Sequence, residues 1–205
     1  MVPIKKYSHG ELEKIAEDFL NKWGGGKYDG RMVRIEALIE GYGYSIWPFP
    51  GLSQIAEAYI PAMDGYIFVD EFEYNRSSKR LRFTLAEELA HILVHRPLFA
   101  GKSPAQIKQF QQEITAAEYK IIEQNAKYLA GAILMKQEFF RERFKHFSEI
   151  QSVRTNNNLH ILRYVVRELN LDFDTSCYAI CLRALHLGLI DQEQLDDLME
   201  DNPSW

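Results

Sequence analysis

From Ser103 onward the chain reads as one amphipathic helix after another, and this run constrains the fold more than any other feature. Ser103-Pro104 sets an N-cap before a proline at a first helical position. Thr115-Ala116-Ala117-Glu118 is a capping-box pattern that opens a long helix to about Met135. Shorter helices are expected near 137–147, 158–169, 175–187 and 191–200. Asn156-Asn157-Asn158 interrupts the run, which predicts a main domain over 1–155 and a C-terminal helical subdomain over 156–205 packed on it. Strand character is confined to the first third. Tyr44 to Trp47 is expected to be a strand ended by Pro48 and Pro50, and IAEAYIPAMDGYIFVD to form two strands around a turn at Pro61 to Gly65. Tyr66-Ile67-Phe68-Val69 is the most strand-like of these runs. With helices from about Ser8 to Trp23 and Met32 to Glu40, the expectation is an α+β chain. It is mostly helical, with a small antiparallel sheet of about three strands.

Charge and composition narrow the function. A net charge of −5 gives no basis for binding bulk nucleic acid or an anionic membrane surface. The C-terminal helices resemble half of a helix-turn-helix, yet from Asn156 onward there are three Arg, no Lys and nine acids. A segment that neutralises phosphates should be basic, so direct DNA binding is not expected. No apolar run is long enough to span a bilayer, and the N-terminal lysines precede no apolar core of a secretory signal. Cys177 and Cys181, four apart, suit neither a redox pair nor a zinc knuckle and read as reduced packing thiols. These features point to the cytoplasm.

One segment carries chemistry. Residues 81–95 read LRFTLAEELAHILVH, after a polar basic loop from Asn75 to Lys79. Pro97 is expected to stop this helix soon after Arg96. A helix with H-E-x-x-H places two His ligands on one face and a general-base Glu beside them. Here the frame is Glu87-Glu88-Leu89-Ala90-His91: the base and second ligand are present, and Glu stands for the first His. Positions 87, 91 and 95 stack along one edge of a helix, with Glu88 beside that line. Each residue also has a plainer reading. Thr84 to Glu87 forms a capping box, Glu88 suits a helix surface, His91 suits an apolar core and His95 suits a helix C-terminus.

The segment GYIFVDEF…SSKRLRFTLAEELAHILVH resembles the ImmA/IrrE family of zinc-dependent metallopeptidases. That family's pattern is a strand, a basic loop, then R-F-T-L-A-H-E-L-G-H, an apolar turn and another His. Arg82, Phe83, Thr84, Leu85, Ala86, Glu88, Leu89, His91 and His95 match it, while Glu87 replaces the first His and Ala90 the Gly. A second element, E-x-x-A-N-x-F-A-A-x-L-L-M-P, aligns without a gap on Glu123 to Lys136, with Lys127 and Lys136 in place of its Asn and Pro. The likeness extends over roughly residues 10 to 190.

The resemblance implies a zincin-like metallopeptidase domain with metal ligands Glu87, His91 and Glu123 and general base Glu88. His95 is an alternative ligand if the ion sits lower on the helix. It implies zinc as the cofactor, and the extra carboxylate brings manganese into consideration or leaves the site empty. The implied partner is a helix-turn-helix repressor, as substrate. The alternative is an inactive relative that binds a repressor or another protein without cutting it.

Overall fold

The computed structural model describes residues 4–25, 32–52, 58–59, 65–76, 79–99 and 104–202. Helix α1 (His9–Trp23) begins at a complete capping box, in which Ser8 and Glu11 satisfy each other's backbone amides. Its stripe of Leu12, Ala16, Phe19 and Leu20 is buried, as the helical spacing requires. After α2 (Ile35–Gly41) come strands β1 (Ser45–Phe49), β2 (Ala58–Tyr59) and β3 (Tyr66–Asp70). The α+β expectation holds, with helix dominating.

The sheet departs from the expected all-antiparallel form. Its order is β1-β3-β2, with β2 antiparallel to β3 but β1 parallel to it, in register from Ser45 opposite Tyr66 to Phe49 opposite Asp70. Parallel neighbours need a connection of about a dozen residues or more, and residues 50–65 supply it while carrying β2 to the far side of β3. Pro48 lies within β1 rather than ending it. An edge strand tolerates the missing amide because one side has no partner strand. Ile67 and Val69 of β3 face the core, whereas Trp47 and Phe49 of β1 are exposed.

Between β3 and the loop expected from Asn75 to Lys79, and running into its first residues, the chain forms a short helix, α3 (Glu71–Arg76), with the Asp70 side chain accepting from the amides of Phe72 and Glu73. The motif helix α4 (Lys79–Phe99) starts earlier than a capping box at Thr84 would allow and runs past Pro97. Thr84 is therefore a buried interior residue of α4 and not its N-cap. The start of α4 is fastened instead by long-range contacts. Lys79 donates to the carbonyl and side chain of Asn170, at 2.8 and 2.7 Å. Arg82 donates to the carbonyls of Asp174 (2.9 Å) and Val33 (2.6 Å).

Helices α5 (Pro104–Glu113), α6 (Ala116–Leu134), α7 (Gln137–Ser152), α8 (Asn158–Phe173), α9 (Cys177–His186) and α10 (Gln192–Asp201) complete the chain. The Thr115–Glu118 capping box opens α6 as its sequence specified. Helix α6 is the central element: it packs on α1, α4 and α9. One hydrophobic cluster runs from Leu12 through α4 and α6 to Leu198. Phe140 and Phe173 meet as a tilted ring pair across the break at Asn156 to Asn158. Cys177 and Cys181 are both free thiols. Among the described residues, no helix is long and apolar enough to cross a membrane.

Candidate metal centre

The site lies where α4 crosses α6. On α4, Leu85, Ala86, Leu89 and Ala90 are fully buried, which orients the helix and leaves Glu87, Glu88 and His91 at the border of the core. On α6, Ile122, Ala126 and Leu129 are buried and Glu123 turns toward α4. The two helices bring His91 Nε2 and Glu123 Oε1 to 3.7 Å. Ligands about 2.1 Å from a tetrahedral ion lie about 3.4 Å apart, so this pair has nearly the spacing of two contacts on one cation.

Electrostatics tie the other two acids to that pair. Burial pushes the Glu87 carboxyl up to about 7; the positive charge of Lys127 opposes this, and Glu123 adds to it. Burial likewise raises Glu88 to about 8, reinforced by Glu87 and then Glu123. Glu123 is raised by burial against the opposing effects of Lys127 and a hydrogen bond from Tyr119. Burial lowers His91 to about 4. Near neutral pH the site therefore holds a neutral imidazole beside carboxyl groups whose ionisation burial opposes.

His95 is buried at 3% exposure and does not join this group. Its Nδ1 lies 3.0 Å from Nδ1 of His91, while Glu123 approaches His91 from the Nε2 side. With the ring held this way, one ion cannot use His95, His91 and Glu123 together. The other ring nitrogen of His95 meets the side-chain amide of Asn125 at 3.4 Å. Burial, followed by the charge of His91, lowers His95 to about 3.

The donor set suits a divalent cation in charge and in the spacing of one pair. Among the described residues, however, no group of three or more His, Cys, Asp or Glu is already arranged as a ligand set. Glu87 lies one turn before His91 on α4, and its carboxyl senses the charge of Glu123. Sequence reasoning missed Asn125 and Tyr119. Asn125 was detectable as a lone amide among the buried residues Ile122, Ala126 and Leu129, and Tyr119 by its four-residue spacing from Glu123.

A long helix bearing E-E-x-x-H is thus crossed by a second helix that returns a glutamate toward its histidine. Residues 67–184 match the peptidase M78 model, described as the IrrE N-terminal-like domain, and the chain belongs to that family. The fold is also similar to that of a Mycobacterium tuberculosis transcriptional regulator, with a TM-score of 0.53 and 19% identity. That match covers 87% of this chain and 47% of the other, so this chain spans about half the length of its structural neighbour. At this identity the likeness concerns the fold alone. No curated protein matches the sequence.

Proposed function

We propose that this chain is a metal-dependent endopeptidase of the IrrE type, acting on a helix-turn-helix repressor. The observation that carries the reading is the convergence of His91 on α4 and Glu123 on α6, at 3.7 Å. Glu87, His91 and Glu123 would hold the ion, zinc by family and manganese by the carboxylate-rich set. A bound dication would polarise the scissile carbonyl and bring water toward neutral acidity. Glu88 is the general base: it takes a proton from the attacking water and returns it to the leaving amine. Burial holds its carboxyl near neutral pH, where one group can both accept and release a proton.

A second reading is favoured by Glu87 itself, a carboxyl that burial raises to about 7 and so leaves only partly ionised near neutral pH, where the family has an imidazole. A neutral carboxyl is a weak ligand, and a relative with such a site would hold a repressor without cutting it.

The test begins with protein purified without chelators, assayed for bound metal and for thermal stabilisation by Zn2+ and Mn2+. A helix-turn-helix repressor from the same gene neighbourhood is then added. The peptidase reading expects metal-dependent fragments, with Glu88→Gln reducing cleavage by about 100-fold or more. A stable, uncleaved complex with no metal response supports the second reading, and neither complex nor fragments sinks both. Glu87→His, which restores the family motif, is expected to tighten Zn2+ binding by about tenfold or more.

A further inference from the structure

We propose that Asn125 is a positioning residue that, through His95, fixes which nitrogen of His91 carries its proton, and thereby sets how readily the pocket accepts a metal. The geometry forms a chain: Asn125 to His95 at 3.4 Å, His95 to His91 at 3.0 Å, His91 to Glu123 at 3.7 Å. Asn125 is the fixed end. Its Oδ1 accepts from the Tyr7 amide at 3.3 Å, and its Nδ2 donates to the Lys5 carbonyl at 2.9 Å. Reversing the side-chain amide would set N–H against N–H and C=O against C=O at both partners, so the backbone of Lys5 and Tyr7 dictates its orientation.

The consequences pass along the chain in one direction. The amide presents an N–H to His95, so His95 Nε2 must be the acceptor. A neutral His95 then carries its hydrogen on Nδ1 and donates it to His91 Nδ1. His91, accepting at Nδ1, carries its own hydrogen on Nε2, aimed toward Glu123. That is the nitrogen a metal shared with Glu123 would need.

Metal capture at Nε2 therefore reverses the chain. His91 must hold its hydrogen on Nδ1, and His95 on Nε2. That hydrogen would point at the Asn125 amide hydrogen, a donor facing a donor. The exchange leaves the charge of both rings unchanged and involves no titration. Metal-binding histidines ordinarily give their second N–H to an acceptor, and this second partner typically alters metal affinity by about 10–100-fold. Here the far end of the chain is a donor, which works against capture. A carboxylate at position 125 would accept from His95 Nε2 and turn the whole chain toward the ligating form.

This inference goes beyond the proposed function and does not rest on catalysis, because it is read in metal-free protein. Nitrogen-15 NMR of the imidazole rings reports which nitrogen is protonated. In wild type we expect hydrogen on Nε2 of His91 and Nδ1 of His95; hydrogen on Nδ1 of His91 overturns the proposal. In Asn125→Asp both rings should switch, and titration with Zn2+ alone should show about tenfold tighter binding. Unchanged tautomers in a folded Asn125→Asp protein overturn it as well. Should that variant not fold, the wild-type spectrum decides alone. Failure of Zn2+ to bind either protein ends the peptidase reading and the link to metal affinity, while the spectra still decide whether Asn125 sets the protonated nitrogen.

Discussion

Helix α6 touches two clusters of buried polar groups, and they are built on opposite rules. Near its C-terminal half, Arg183 of α9 is only 1% exposed. It donates to both Glu13 oxygens, at 2.6 and 3.0 Å, and to the Met135 carbonyl at 3.1 Å. The Tyr128 hydroxyl donates to the same Glu13 carboxylate at 2.9 Å. Charge is matched and the geometry is bidentate, so this cluster binds α1, α6 and α9 together. Near the N-terminal half of α6, Glu87, Glu88 and Glu123 gather around neutral His91, and two of these carboxyls are raised to about 7 and about 8. A fold that can match charge so fully at Glu13 leaves it unmatched at the motif. Perturbed groups of this kind cluster at functional sites, whereas matched ones serve as fasteners.

The contrast can be broken most severely at the matched cluster. Arg183→Ala should leave Glu13 without its partner and cost about 3 kcal/mol, measured by urea denaturation at neutral pH. A loss below about 1 kcal/mol would mean that the pair is no fastener.

At the unmatched cluster the expected effect is smaller, and pH-dependent. Glu87 and Glu88 ionise at 4.5 ordinarily but near 7 and 8 in the folded chain. The folded state thus holds these protons longer than the unfolded chain. Their stabilisation is complete below about pH 4.5 and is lost as pH rises through 7 to 8 in metal-free protein. His91 and His95 act in the opposite sense: their share is complete above 6.5 and lost as pH falls toward about 4 and about 3. Glu88→Gln should therefore be about 2 kcal/mol more stable than wild type at pH 8, with little difference at pH 4. Equal unfolding midpoints for the two proteins at pH 8 would remove the claim of crowded charge.

The smallest effect sharpens the comparison. Lys127 is the positive charge that opposes ionisation cost at both Glu87 and Glu123, but it is exposed. Lys127→Ala should destabilise metal-free protein at pH 8 by about 0.5 kcal/mol, and the difference should shrink in high salt.

What the sequence disclosed, and what it withheld, follows the range of the interactions. The α1 and α6 starts were legible because their caps are local, three residues from donor to acceptor. The start of α4 was misjudged because its fasteners come from Asn170, Asp174 and Val33, far along the chain. Helix α3 is not announced by its sequence, since nothing in EFEYNR shows the apolar periodicity of a buried face. The parallel pairing of β1 was hidden for a similar reason: strand runs disclose their faces, while direction is decided by how the chain returns. Of the candidate site, Glu87, Glu88 and His91 were legible from spacing within one helix. Glu123 entered only through family resemblance, because no local pattern distinguishes it from any other acid on α6. The alliance of Glu13 with Arg183 could not be read at all from residues 170 positions apart.

The hold of the Lys5 and Tyr7 backbone on Asn125 gives the first few residues an influence out of proportion to their size. Any change that pulls this segment off the body would free the Asn125 side chain to rotate. A change confined to Lys5 and Tyr7 would then be felt at His95, about 90 positions further along the chain.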